Sequence, residues 1–168
     1  MEEGINPPSA DWANFFVAEV GAAAALTGLL VVAISINLAR ILSFSQLPGR
    51  AAEGLVILVA AFVLASIGLV PNQPAKLFGA EVLTIGLATF LVSSAIQLRS
   101  WNVIAAVSSA KQYARAGVGV ASSLPFLVAG ALLLYGSDAG LYWIAAGIII
   151  SLAAGVWHAW VLLVEILR

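Results

Sequence analysis

The sequence contains no cysteine. That excludes disulfides, thiolate metal sites and cysteine nucleophiles. Charge is almost as scarce, because Asp, Glu, Lys and Arg together make up 9% of the 168 residues. A soluble domain carries roughly 25%. The single histidine, His158, cannot supply a two-histidine haem site within one chain. Both lysines, Lys76 and Lys111, fall between the apolar runs, which excludes a retinal Schiff base within a span. No H-E-x-x-H, G-x-S-x-G, P-loop or dinucleotide fingerprint occurs. The glycine-rich GVGVAS at 117–122 opens an apolar run and follows no strand. No basic cluster points to nucleic acid. The leading MEEGINPPSADW is acidic, with no basic n-region and no A-x-A site, so no cleavable signal peptide is expected. With so few polar residues for chemistry, an enzyme is not expected, and no cofactor or metal site is implied.

What is abundant is apolar length. Hydrophobic residues make up 62% of the chain and the mean hydropathy is +1.09. Such a chain has no surface to offer water, and its runs reach the ~20 residues needed to cross a bilayer. The expected fold is an all-α integral membrane protein, a single domain over 1–168. Five transmembrane helices are expected at about 12–38, 52–70, 77–98, 117–136 and 141–164. The punctuation between them is Leu47-Pro48-Gly49, Pro71-Asn72-Gln73-Pro74, the polar stretch 99–116 and Gly136-Ser137-Asp138-Ala139-Gly140. Pro48 is placed to open the second helix, where no intrahelical N–H donor is needed. Six of the seven cations (Arg40, Arg50, Arg99, Lys111, Arg115 and Arg168) fall on one side, leaving Lys76 on the other. The positive-inside rule then predicts an outer N-terminus and a cytoplasmic C-terminus.

The first helix is long. Trp12 to Leu42 would span roughly 46 Å against about 30 Å of hydrocarbon, so it must tilt or project with Asn37 and Arg40. The 101–116 segment either lies along the interface or extends the fourth helix. Pro125, after Ser122-Ser123, is expected to kink that helix as a tolerated packing feature, with the serines available to the freed carbonyl.

Helix faces are marked by small residues. Gly21, Gly28 and Ser35 repeat every seven residues in the first helix, within a stripe that includes Ala18, Ala25, Val32 and Ala39. In lipid, helices associate where small side chains let backbones approach. Gly86 in the third helix, with Gly79, Ser93 and Gln97, and Gly147, Ser151 and Gly155 in the fifth suggest further packing faces. The stripe on the first helix should pack tightly, and Glu19 lies on its opposite face, about 160° from Gly21. Asn37 shares the face of Glu19, with Ala23, Leu26 and Leu30 between. Both faces thus ask for protein or water, which places the first helix at the centre. Trp12, Trp101, Tyr113, Tyr142 and Trp143 fall near span ends as interfacial anchors.

Glu19 is the principal functional candidate, because a carboxyl at membrane depth is expensive unless protonated, paired or hydrated. It either bonds a neighbouring helix as packing glue, faces a water-filled path where it binds a cation or exchanges a proton, or, in a shallow first helix capped by Asp11 about 12 Å above it, reaches the outer headgroups. His158 reads first as a neutral packing residue. A ligand site with Ser151, Trp157 and Trp160 is the sharper alternative. Glu53 and Glu165 are expected to pair at the interface with Arg50 and Arg168, or Glu53 to meet Arg40. Glu81 should be solvated at the outer boundary.

The runs WANFFVAEVGAAAALTGLLVVAISINL, then LPGRAAE and LVPNQ, resemble a group of small bacterial multispan proteins, some labelled modulators of an AAA-type membrane protease. The resemblance covers roughly the first half through packing and loop patterns. It implies a bacterial plasma-membrane location, and no functional residue is carried over from it.

The leading expectation is a small homo-oligomeric channel or transporter-like protein for cations or protons, with Glu19 and Asn37 on its path. The rival is a non-catalytic accessory or regulatory subunit that docks its small-residue faces onto a larger membrane complex.

Overall fold

The structure is a computed structural model, and it describes residues 10–101 and 109–167. These form helices α1 (Ala10–Ile36), α2 (Leu38–Ser43), α3 (Leu47–Ile67), α4 (Ala75–Trp101), α5 (Ser109–Leu134) and α6 (Ala139–Leu167). Five of them, all but α2, are long and apolar enough to cross a membrane. The protein is an all-α bundle, as the apolar runs require. Asp11 as a cap, Trp101 as an anchor, the Glu165–Arg168 pair and the segment between α4 and α5 lie outside the described residues or side chains.

Consecutive spans run antiparallel, and their registers follow from glycine contacts. A methyl added at Gly130 would fall 2.6 Å from the Leu83 nitrogen, and one at Gly86 would fall 2.9 Å from the Phe126 Cβ. These contacts seat α4 against α5 at backbone distance. Gly147 and Gly140 bring α6 onto Phe126 and Leu133 of α5, and Gly155 brings it onto Leu58 of α3. Each glycine replaces side-chain volume with helix contact, which is what packing in lipid rewards. The apolar core gathers Phe16, Leu64, Phe78, Val82, Phe126 and Ile148 toward the end where the α3–α4 turn lies. There Trp12 meets Tyr142 edge-on at 5.0 Å between ring centroids, tying α1 to α6.

The central helix is α3, not α1. It touches every other helix, and half of its most apolar stretch is buried (50%), against 11% for α1. Small residues explain α1's periphery: only one face, through Phe16, Ala23 and Leu30, carries side chains that fill the groove against α3. The run of α1 also ends sooner than its apolar length suggests. Asn37 (φ −105°, ψ 13°) breaks it from α2, and its Nδ2 donates to the Ala33 carbonyl at 2.9 Å. This local bond competes with helix continuation.

Pro125 sits inside an unbroken α5. Ser122 and Ser123 donate to the Val118 and Gly119 carbonyls at 2.9 Å each, not to the Ala121 carbonyl that Pro125 deprives of its donor. Pro48 occupies the first turn of α3, which begins at Leu47, five residues before the expected start. The turn from α5 to α6 uses Gly136 at φ 84°, a conformation that a side chain would strain.

Candidate functional site

The densest polar chemistry lies inside the bundle at its cation-rich end. Glu53, seventh residue of α3, is fully buried at 0% exposure. Its Oε2 accepts from Arg115 Nε of α5 at 2.7 Å, and its Oε1 accepts from Gln97 Nε2 of α4. One carboxylate thus ties three helices. Gly119 makes room for this meeting, since a methyl there would reach 3.4 Å from Glu53 Oε1 and press on Gln97.

His158 of α6 completes the layer. It is 5% exposed and packs on the adjacent backbone, where a methyl at Gly54 would lie 3.1 Å from its Cβ. The charged groups in electrostatic reach of His158 are Glu53, Arg115 and Arg50. His158 Nε2 and Arg115 Nη2 are buried without a hydrogen-bond partner in the protein. Two hydroxyls share that condition: Ser93 Oγ, one turn from Gln97 on α4, and Ser151 Oγ, two turns deeper on the His158 face of α6. Buried polar groups are normally satisfied, so each of these four asks for an explanation.

The expected pairing of Glu53 with Arg50 or Arg40 is therefore replaced. Sequence spacing favours a neighbour three residues away, whereas burial of α3 at the centre turns Glu53 inward to partners on other helices. The signals for this were present but dispersed. Gln97 shared the small-residue face of α4, and Arg115 stood at the start of an apolar run.

Glu19 lies on the α1 face turned toward the bundle and is half-buried, with Oε2 buried and without a partner in the protein. Asn37 is on the same side, 18 residues or about 27 Å further along, and its amide is engaged by its own helix. Ala23 at 0% exposure and Leu30 at 2% fill the face between them with apolar contact. Within the protomer, then, the described residues join no polar path from Glu19 to Asn37.

His158 and Ser151 share an interior face, but Trp157 and Trp160 do not join them. The tryptophans are 61% and 65% exposed, pointing away from the bundle. Neighbours in sequence diverge around a helix by 100° per residue, and the expected ligand group is thereby split. Gly86, Gly147 and Gly155 lie in close interhelical contact. Gly21 and Gly28 do not: a methyl at either would meet nothing within 4 Å, and Ala18, Ala25, Val32, Ser35 and Ala39 of the same stripe are all exposed. Glu81, expected in the headgroups, is half-buried and accepts from Gln73 Nε2. Among the described residues, no group of three or more His, Asp or Glu is arranged to hold a metal ion.

Comparison with protein-family models, with curated proteins and with solved structures gives no match.

Proposed function

We propose that the protein is a non-catalytic membrane subunit that works by helix docking, self-associating through the small-residue face of α1 and serving a larger membrane complex. The observation that carries this reading is the open stripe of α1, where Gly21 and Gly28 meet nothing within 4 Å. A Gly- and Ala-lined face gains little from lipid tails but allows close approach of a second helix. Its seven-residue repeat is self-complementary, since two parallel copies bring Gly21 to Gly21 and Gly28 to Gly28. The cation-rich end, with Arg40 and Arg99 exposed, is assigned to the cytoplasm of a bacterial plasma membrane.

The test is co-purification of differently tagged copies from one membrane. Gly28→Leu should abolish recovery of the second copy while the protomer stays folded. Equal recovery with Gly28→Leu rejects docking through this face. Gly155→Leu is unsuitable for the test, because that position is already filled by Leu58.

A second reading, conduction of cations or protons, is favoured by the unpartnered Oε2 of Glu19. The geometry gives it less support. Pairing through the stripe leaves Glu19 facing α1's own bundle, about 160° away from any shared axis. Proton flux into liposomes that falls in Glu19→Gln would support conduction over docking alone.

A further inference from the structure

We propose that the groove between the α1–α2 corner and α6 holds one acyl chain of an anionic phospholipid, with Arg40 at its mouth on the phosphate. The groove lies on the α6 side of α1 and is not lined by Gly21 or Gly28, so the site does not depend on docking through that stripe.

Side-chain volume makes the groove. Where α1 and α6 line it, Ala33 and Ala159 each supply a single methyl, and at Asn37 the chain breaks from α1 into α2. Leu30, Ile41 and Leu162 are almost fully buried and form its floor, whereas Leu163 is exposed along its rim. Asn37 is the one polar residue of the lining. The space is about 240 Å³ with its open side included, below the ~300–1,000 Å³ that enclose a compact ligand. A second helix, about 10 Å across, is too wide for it. A single hydrocarbon chain lying lengthwise fits.

Length agrees with a lipid. From Leu30 to Ile41 the lining covers at most about 16 Å of helix, and half of a bilayer's hydrocarbon is about 15 Å. The groove therefore runs through one leaflet, the one at the cation-rich end.

Charge selects the headgroup. Ile41 N donates to the Asn37 carbonyl at 2.9 Å, which closes a helical turn. Arg40, three residues after Asn37, is then its neighbour on the helix surface, with about 5–6 Å between Cβ atoms. Arg40 is exposed, and no carboxylate among the described residues pairs with it. Leu38, Leu42 and Phe44 around it are exposed too. Apolar side chains beside an outward cation mark the edge of the hydrocarbon, where headgroups sit. Asn37 Nδ2 spends one of its two hydrogens on the Ala33 carbonyl, which leaves a second donor beside Arg40. A guanidinium with no local carboxylate favours a headgroup of net negative charge over a zwitterionic one, whose ammonium it repels.

The experiment is native mass spectrometry of the full-length protein, delipidated in detergent and titrated with phosphatidylglycerol or phosphatidylcholine of the same chains. The apparent affinity of the first lipid bound per protomer is read. Phosphatidylglycerol should bind about fivefold tighter, the worth of one arginine near an anionic headgroup. Arg40→Gln should erase that preference. Ala33→Leu, which fills the groove, should weaken both lipids at least as much. Arg99→Gln, an exposed cation at the same end that does not line the groove, should change neither affinity. Equal affinity of wild type for the two lipids overturns the site. So does a loss of preference in Arg99→Gln equal to that in Arg40→Gln, which would reveal only a general positive field. Unchanged lipid binding in Ala33→Leu, or loss of protein dimers in its place, would likewise reject a chain in the groove.

Discussion

Arg115 Nε donates a 2.7 Å hydrogen bond to Oε2 of Glu53, 62 residues earlier in the chain and fully buried. This ion pair joins α5 to the central α3 at a depth where neither charge is well served by water. Gln97 adds α4 to the same carboxylate. The cation-rich end of the bundle thus combines this polar junction with an aliphatic cluster of Leu30, Ile41, Leu47 and Leu162, while the opposite end is held by rings and aliphatic side chains.

Removal of one partner should be costly. Arg115→Ala removes the ion-pair partner of a fully buried carboxylate, a loss of about 3–5 kcal/mol. Thermal unfolding in nanodiscs should show a large drop for this variant and a much smaller one for Glu53→Gln/Arg115→Gln. A fall in the double variant equal to the sum of the singles would show that the two groups act independently.

Glycines should separate into two classes. Gly130→Ala places a methyl 2.6 Å from the Leu83 nitrogen, so the α4–α5 contact must open. A loss of about 1–3 kcal/mol is expected, the usual scale of overpacking. Gly28→Ala meets nothing within 4 Å and should leave protomer stability unchanged or slightly raised through helix propensity. Guanidine or thermal unfolding of the two variants in parallel checks the contrast.

Tryptophans of α6 should report lipid and leave the interior untouched. Trp157 and Trp160 are exposed while His158 between them is buried. Brominated acyl chains should quench their fluorescence strongly. Trp157→Phe and Trp160→Phe should shift stability by less than about 0.5 kcal/mol. A larger loss would mean that the rings pack against protein.

The five spans were legible because hydrophobic length alone determines them, and no tertiary detail is needed to see a run such as LYWIAAGIIISLAAGVW. The faces were only half legible. Periodicity located the small-residue stripe of α1 and the face of Glu19 correctly as opposite sides. It could not tell which side the chain would cover with its own helices. Side-chain volume decides that, and Phe16 and Leu30 fill the groove on α3 where glycines would leave it empty. Glu53 was misread for a related reason. Its nearest cations in sequence are Arg50 and Arg40, but the centrality of α3 depends on all five helices together. Local spacing cannot supply that, and so the partner 62 residues away stayed hidden.

The absence of cysteine permits a direct test of α1 as the docking face. Gly21→Cys and Gly28→Cys would be introduced singly into the full-length chain and oxidised in native membranes. Leu91→Cys and Ile149→Cys, on exposed positions of α4 and α6, serve as controls. The docking account predicts disulfide-linked dimers from both α1 positions and little from the controls. Dimers at equal yield from all four, or none from Gly21→Cys and Gly28→Cys, would contradict it.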